Sequence, residues 1–195
     1  MSQAPEWEDA VTPSLIALGS NATSAAGAPA ETLHAALREL KNNNFSIAAI
    51  SRFYESPAYP AGAGPDFVNA AIRLGDAPPP QRLLETLHRI EAQFGRVRRQ
   101  RWGPRVLDLD LLARGGTVLP DPATLRRWID LPPEAQRRET PDRLLLPHPR
   151  LQDRAFVLLP LLDIAPDWRH PLLGLTVRQM VAALPSDAKA AMKPL

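Results

Sequence analysis

The order of the hydrophobic patterns along the chain restricts its fold more than any other feature of the sequence. Before residue 115, two stretches carry apolar residues at helical spacing, and four shorter stretches have the length or alternation of a β-strand. The strand-like stretches are residues 14–18, 45–54, 67–74 and 106–112, and the helix-like stretches are residues 30–41 and 81–94. Their order, β-α-β-β-α-β, is that of the ferredoxin-like split βαβ fold. We therefore expect an α+β protein whose ferredoxin-like βαββαβ core has an antiparallel sheet and both helices on one face.

The sequence after residue 114 no longer follows this regular order. Residues 115–142 contain five prolines and four arginines around one amphipathic piece at 123–129, and their apolar content is too low for a separate core. We interpret them as a Pro/Arg-rich insertion with a single helix. Apolar periodicity returns at 154–165 and 175–184, which predicts two C-terminal helices.

These patterns indicate a single domain at residues 14–185. Residues 1–13 are expected to be a disordered leader, and residues 186–195 a polar tail. A length of 195 residues is sufficient for one well-packed domain. The shares of 45% hydrophobic and 23% charged residues are ordinary for a globular protein, so nothing in the composition argues against this division.

The composition also excludes several kinds of site. Cysteine is absent, which excludes disulfides, thiolate catalysis and zinc–thiolate centres. The formal net charge is only +2, so the overall charge gives no argument for nucleic-acid binding. No apolar run approaches the roughly 18 residues of a membrane-spanning helix, and the acidic N-terminus is unlike a secretory signal. We therefore expect a cytoplasmic protein without a membrane partner.

Residues 95–110 combine a basic loop with a strand that bears two carboxylates. The loop contains Arg96, Arg98, Arg99, Arg101, Arg105 and Trp102. Asp108 and Asp110 are two residues apart on the predicted strand and therefore project from the same face. Adjacent carboxylates repel unless a cation lies between them, and Mg²⁺ is the hard cation that carboxylates and phosphates share. Because arginine forks bind phosphate oxygens, the stretch predicts phosphoryl transfer from a polyphosphate.

Other interpretations of the same stretch remain open on these residues alone. An arginine-rich loop is often a solvated surface, and two aspartates on a strand are often the polar face of an edge strand. A basic loop with one tryptophan is also typical of an RNA-binding patch. The alternative function is therefore a non-catalytic nucleotide- or RNA-binding module, which would have a steep salt dependence and no need for Asp108 or Asp110.

Several motifs follow one another in the order typical of one enzyme family. They are Leu18-Gly-Ser-Asn21, Ser51-Arg-Phe-Tyr-Glu-Ser-Pro57, Pro65-Asp-Phe-Val-Asn-Ala-Ala71, Arg89-Ile-Glu91, Gly95-Arg-Val-Arg98, Arg101-Trp-Gly-Pro-Arg105, Leu107-Asp-Leu-Asp110, Leu146-Pro-His-Pro149 and Arg154-Ala-Phe156. On these residues the chain resembles the 6-hydroxymethyl-7,8-dihydropterin pyrophosphokinases of folate biosynthesis. The motif at 101–105 followed by the one at 107–110 is the most specific part of the resemblance.

The resemblance implies the transfer of pyrophosphate from ATP to the hydroxymethyl group of 6-hydroxymethyl-7,8-dihydropterin, with release of AMP. It also implies that Asp108 and Asp110 hold two Mg²⁺ ions. The implied catalytic residues are Arg96, Arg98, Arg105, Asp108 and Asp110, and the implied ATP-binding residues are Glu91, Arg101 and His148. The two small molecules, and no nucleic acid, are the implied partners, and a monomer is the implied oligomeric state.

The pterin ring needs a flat slot and hydrogen-bonding groups for its amide edge. By resemblance, Phe67 and Phe156 stack on the two ring faces, and Asn69 binds the pyrimidinone edge. The residues implied at the pterin are Ser56, Phe67, Asn69, Trp102, Arg154 and Phe156. Without the resemblance, each phenylalanine would be interpreted as ordinary core.

The chain departs from the family pattern at a few positions. Ser56 replaces a frequent threonine, and the stretch between Arg98 and Arg101 is one residue shorter than in a familiar form of the enzyme. The insertion at 115–142 is the largest departure. Because it lies between the aspartate strand and His148, we hypothesise that it covers the ATP site.

Overall fold

A computed structural model of the chain describes residues 12–58, 64–96 and 105–195. Its strands are β1 (Ser14–Ser20), β2 (Ile47–Ile50), β3 (Tyr54–Ser56), β4 (Phe67–Leu74), β5 (Asp108–Arg114) and β6 (Lys193–Pro194). Its α-helices are α1 (Pro29–Asn42), α2 (Pro80–Gln93), α3 (Pro122–Ile129), α4 (Pro133–Arg138), α5 (Ala155–Ile164), α6 (Val177–Ala183) and α7 (Ser186–Ala190). The leader predicted at 1–13 lies almost wholly outside the described residues.

The strands form one antiparallel sheet. Its order is β5-β1-β4-β3-β6, and β2 pairs with β4 beside β3. The long strands β1 and β4 occupy the centre, with β5 at one edge. The predicted ferredoxin-like α+β fold with an antiparallel sheet is confirmed.

The two faces of the sheet are covered differently. On one face, Leu18, Ile72 and Leu109 pack with buried residues of α1 and α2, as the alternation of apolar residues predicts. On the other face, Leu15 and Leu112 pack with buried residues of α5 and α6. These latter contacts lie toward the start of β1 and the end of β5. The opposite ends of the central strands, on the α5 side, carry the polar residues described below.

One predicted strand is two strands in the structure. The stretch predicted at 45–54 forms β2 and then β3, which are separated at Ser51. The Ser51 N–H donates to the Ala71 carbonyl at 2.9 Å, but the Ala71 N–H donates back to the Ser51 hydroxyl, also at 2.9 Å, instead of to a backbone carbonyl. The Ser51 side chain thus interrupts the backbone ladder of hydrogen bonds. Periodicity alone does not reveal that a hydroxyl takes the place of a backbone carbonyl as acceptor.

The insertion and the C-terminal residues are more structured than their composition indicates. Residues 115–142 hold α3, whose N-cap Asp121 accepts from the Thr124 N–H at 2.8 Å, and also a second helix, α4. Residues 186–195, predicted to be a polar tail, form α7 and β6, and β6 pairs with β3. In the described part of the chain, every helix is too short or too polar to cross a membrane.

Candidate functional site

Asp108 and Asp110 lie on the same face of β5, as their spacing predicts. In the register of the sheet, Asp108 pairs with Gly19 and Asp110 with Ala17, while Leu109 between them enters the core beside α1 and α2. Burial, and then repulsion from Asp108, raises the pKa of Asp110 to about 7. The two carboxylates are thus arranged so that a bound cation would relieve their repulsion.

Two predicted arginines contact Asp108. Arg96 and Arg105 each form an ion pair with this carboxylate, one through each of its oxygens. The Asp108 side chain is only 13% exposed, so these contacts lie in a largely desolvated place where charge interactions are strong. Asp108 therefore lies between two guanidinium groups that could equally bind phosphate oxygens.

Glu91 is buried beneath this cluster and organises it. Its side chain is 2% exposed, and its Oε1 accepts a hydrogen bond from the Leu109 N–H at 2.7 Å. The same oxygen contacts the Arg96 guanidinium. Glu91 thus joins α2 to the outer edge of β5 and holds Arg96 next to Asp108. A solvated helix-face residue, which the isolated sequence position favours, does not make these contacts.

Ser20 and Asn21, at the end of β1, tie the loops of the site together. The Asn21 side chain accepts from the Arg105 N–H at 2.7 Å and donates to the Pro65 carbonyl at 3.1 Å. The Asn21 N–H donates to the Arg105 carbonyl at 2.9 Å, and the Ser20 hydroxyl donates to the Val106 carbonyl at 2.6 Å. These positioning roles were not predicted; the only signal for them was the weak Gly-Ser-Asn motif.

Gly19 lies between Asp108 and Asn69 in adjacent strands, and we call these three residues the site row. Gly19 pairs with Asp108 on one side and with Asn69 on the other. A Cβ on Gly19 would lie 3.6 Å from Asn69 Oδ1, 3.8 Å from Phe67 Cδ1 and 3.9 Å from Asp108 Cβ. The missing side chain therefore leaves an open strip of backbone that connects the carboxylates to the predicted pterin-binding residues.

The structure brings together the predicted pterin residues of β3 and β4. Asn69 is 5% exposed, and its Nδ2 donates to the Ser56 hydroxyl at 2.9 Å. This bond turns the amide so that its oxygen faces Gly19. Phe67, two residues earlier, lies on the same face and also approaches Gly19. Ser56 is thus a positioning partner of Asn69 in the ligand-free chain.

Arg154 and Phe156 lie at the start of α5, the helix that packs on this face of the sheet. The Arg154 guanidinium carbon lies 5.6 Å from the centroid of the Phe156 ring. Burial lowers the pKa of the Arg154 guanidinium, and the Asp110 carboxylate acts in the opposite direction. Phe156 packs partly against the core on the α5 side of the sheet, so its predicted role on a pterin face stays a prediction.

His148 is held as a neutral hydrogen-bond donor. Its backbone N–H donates to the Leu112 carbonyl at 2.7 Å, and its Nδ1 accepts from the Arg150 N–H at 3.1 Å. Burial, followed by the charges of Arg154 and Arg150, lowers the pKa of His148 to about 3. Because Nδ1 is an acceptor, the proton of the neutral ring is on Nε2.

Asp110, His148 and Arg154 line a cavity of about 450 Å³. Its size is within the range of small-ligand sites. Among residues 12–58, 64–96 and 105–195, no three His, Asp or Glu side chains are grouped to hold a metal ion. A pair of carboxylates without further protein ligands nevertheless fits Mg²⁺, which commonly keeps waters and substrate phosphates as its other ligands. The predicted Arg98, Arg101 and Trp102 lie outside the described residues.

Comparisons with known proteins point to one family. The model of the 7,8-dihydro-6-hydroxymethylpterin-pyrophosphokinase family matches residues 15–166. A 2-amino-4-hydroxy-6-hydroxymethyldihydropteridine pyrophosphokinase of Pseudomonas aeruginosa is 39% identical over 173 residues, which are 88% of this chain and 91% of the relative. One of Synechocystis is 35% identical over 168 residues, 86% of this chain and 73% of the relative.

The fold also resembles solved structures. The wild-type HPPK-DHPS of Plasmodium falciparum matches 91% of this chain with a TM-score of 0.59 and 16% sequence identity. The chain spans 42% of that longer protein, and at this identity the likeness concerns the fold alone.

Proposed function

The chain belongs to the 7,8-dihydro-6-hydroxymethylpterin-pyrophosphokinase family and is a pyrophosphokinase of folate biosynthesis; on this premise we propose that it transfers pyrophosphate from ATP to the hydroxymethyl group of 6-hydroxymethyl-7,8-dihydropterin and releases AMP. The observation that carries the proposal is the site row, in which Gly19 connects the Asp108 carboxylate to the Asn69 amide. Asp108 is contacted by two guanidinium groups suited to phosphate. The row thus offers one end to a polyphosphate and the other to a heterocyclic amide.

Asp108 and Asp110 would hold Mg²⁺, and we propose two ions. When bound, Mg²⁺ would neutralise charge on the triphosphate and make the substrate hydroxyl more acidic. Arg96 and Arg105 would bind phosphate oxygens once released from Asp108. The Nε2–H of His148 would donate to another phosphate oxygen without adding charge, because its pKa of about 3 keeps the ring neutral. Positioning and charge neutralisation, with no side-chain nucleophile, suffice for this class of transfer.

The pterin ring would lie over Gly19. There the Asn69 oxygen can accept from its amide N–H, and Phe67 can contact one ring face. Arg154 and Phe156 would close the slot from α5. In this pose the hydroxymethyl group points along the site row toward Asp108. Arg98, Arg101 and Trp102 stay proposed as loop residues that close over the substrates, with Arg101 at ATP and Trp102 sealing the pterin side.

The test is AMP formation from ATP, with and without the dihydropterin, in Mg²⁺ and then in EDTA. We expect pterin- and metal-dependent AMP release by the wild type. Asp110→Ala should abolish it, whereas Asp187→Ala, which removes an exposed carboxylate on α7, should not. Formation of ADP would contradict pyrophosphate transfer. Polynucleotide binding without turnover, unaffected by loss of Asp110, would favour the alternative binding module. A monomeric state and a cytoplasmic location stay predictions.

A further inference from the structure

The cavity that Asp110 lines extends to the insertion. Trp128 of α3, Gln136 of α4 and Glu139 after α4 line it together with Asp110 and His148. Residues 115–142 therefore contribute a wall to the same space that Asp110 and His148 line. This extends the expectation that the insertion lies near the ATP site by naming the side chains that face it.

The residues that line the cavity are of two chemical kinds. One group of lining residues is charged or metal-binding in type: Asp110, Arg143, His148, Arg150 and Arg154, with Asp142 paired to Arg143. A second group offers apolar and aromatic surface with neutral or acidic polar groups: Leu84, Trp128, Gln136, Glu139, Leu144 and Leu145. A triphosphate suits the first group by charge. The second group suits a flat, uncharged heterocycle and hydroxyl-bearing sugar, which are poorly accommodated by a purely cationic pocket.

Several contacts hold the insertion in place beside the cavity. Leu119 and Leu146 exchange backbone hydrogen bonds of 2.9 and 3.2 Å, which fasten the insertion to the segment just before His148. Leu125 of α3 is fully buried, and Arg126 donates to the Leu172 carbonyl at 3.1 Å. Trp128 is therefore presented from an anchored helix, and little ordering entropy would oppose its use in binding.

We propose that the insertion forms the nucleoside-binding wall of the nucleotide site and that Trp128 packs its ring against the adenine base. The proposal rests on the proposed function for its choice of nucleotide. Trp128 is half-buried, and large aromatic rings that line a cavity supply much contact area at low entropic cost. Its contribution would concern nucleotide affinity, since the role proposed at the phosphates belongs to Asp110 and His148.

The experiment compares two probes that share a triphosphate but differ in the nucleoside. Binding of α,β-methylene-ATP and of inorganic tripolyphosphate is measured by calorimetry in Mg²⁺ with the full chain. Trp128→Ala should weaken α,β-methylene-ATP roughly 5- to 100-fold, the range that loss of one base–aromatic stack gives. Binding of tripolyphosphate should stay within about twofold. Trp128→Phe should restore most of the affinity.

Matched variants separate stacking from folding. Ile129→Ala removes a neighbouring side chain of α3 that does not line the cavity, and it should leave the affinity for both probes unchanged. Trp128→Leu keeps apolar volume without an aromatic face and replaces the alanine variant if that protein unfolds. It too should weaken binding of α,β-methylene-ATP but not of tripolyphosphate. Equal weakening of both probes, or no weakening of either, would overturn the proposal. Because binding needs no turnover, the result is independent of whether the wild type releases AMP on addition of pterin.

Discussion

Replacing Gly19 by alanine should make the protein more stable and less able to bind pterin. A Cβ at this position meets its neighbours at 3.6–3.9 Å, which is ordinary van der Waals contact. The backbone of Gly19 is also not in the left-handed region, so alanine can adopt it without strain. Alanine in a strand interior is favoured over glycine by roughly 0.5–1 kcal/mol. For a chain of this length, that corresponds to a rise in Tm of about 1–4 °C.

The same methyl group would occupy the open strip of the site row. A pterin ring lying over Gly19 would have to be displaced from the Asn69 oxygen, which already lies 3.6 Å from the new carbon. Overpacking by one carbon costs roughly 1–3 kcal/mol, or about 5- to 150-fold in the Kd for pterin. Affinity for α,β-methylene-ATP should change by less than about twofold.

Thermal unfolding and calorimetric titration with the pterin measure the two effects. Gly116→Ala is the matched control, since its added Cβ meets no atom within 4 Å and should not alter pterin binding. A Gly19→Ala protein that binds pterin as tightly as the wild type would refute the placement of the ring over the site row. A loss of several degrees in Tm would refute the packing argument.

Three further predictions concern the surroundings of the site. Glu91→Ala removes the acceptor of the Leu109 N–H and the partner of Arg96. It should lower the free energy of unfolding, measured by urea titration, by about 2–4 kcal/mol. Glu91→Gln keeps an acceptor and should lower that free energy about half as much. Equal losses would contradict a role for the charge. Ser56→Ala removes the shorter of the two hydrogen bonds that orient the Asn69 amide, leaving the 3.5 Å bond to the Tyr54 carbonyl, and should raise KM for pterin about fivefold at nearly constant kcat. A change confined to kcat would argue against positioning. Burial, followed by the charge of Arg126, lowers the pKa of His170 to about 4, so the unfolded chain binds the extra proton between about pH 6.5 and 4. The free energy of unfolding should therefore fall as pH decreases through that window, by on the order of 1–2 kcal/mol after allowance for solvent screening. A His170→Phe variant whose free energy of unfolding has the same dependence on pH would contradict this account.

The elements that follow from local periodicity were predictable from sequence. The βαββαβ order and the shared face of Asp108 and Asp110 depend only on the repeat of 3.6 or 2 residues within single segments. The bounds of β4 agree with the prediction at 67–74 for the same reason. The motifs around 101–110 also indicated the family, because they combine several residue types at fixed spacing.

Tertiary structure decided what depends on contacts between distant segments. Glu91 resembled a solvated helix residue until the fold placed it against the Leu109 N–H, and Asn21 gained its role only because Arg105 and Pro65 come to the end of β1. Trp128 lines the same cavity as Asp110 and His148 because backbone bonds between Leu119 and Leu146 fold the insertion back along it. A residue's own neighbours in sequence set its backbone pattern, but burial, hydrogen-bond partners and shared cavities are set by segments that meet only in the folded chain.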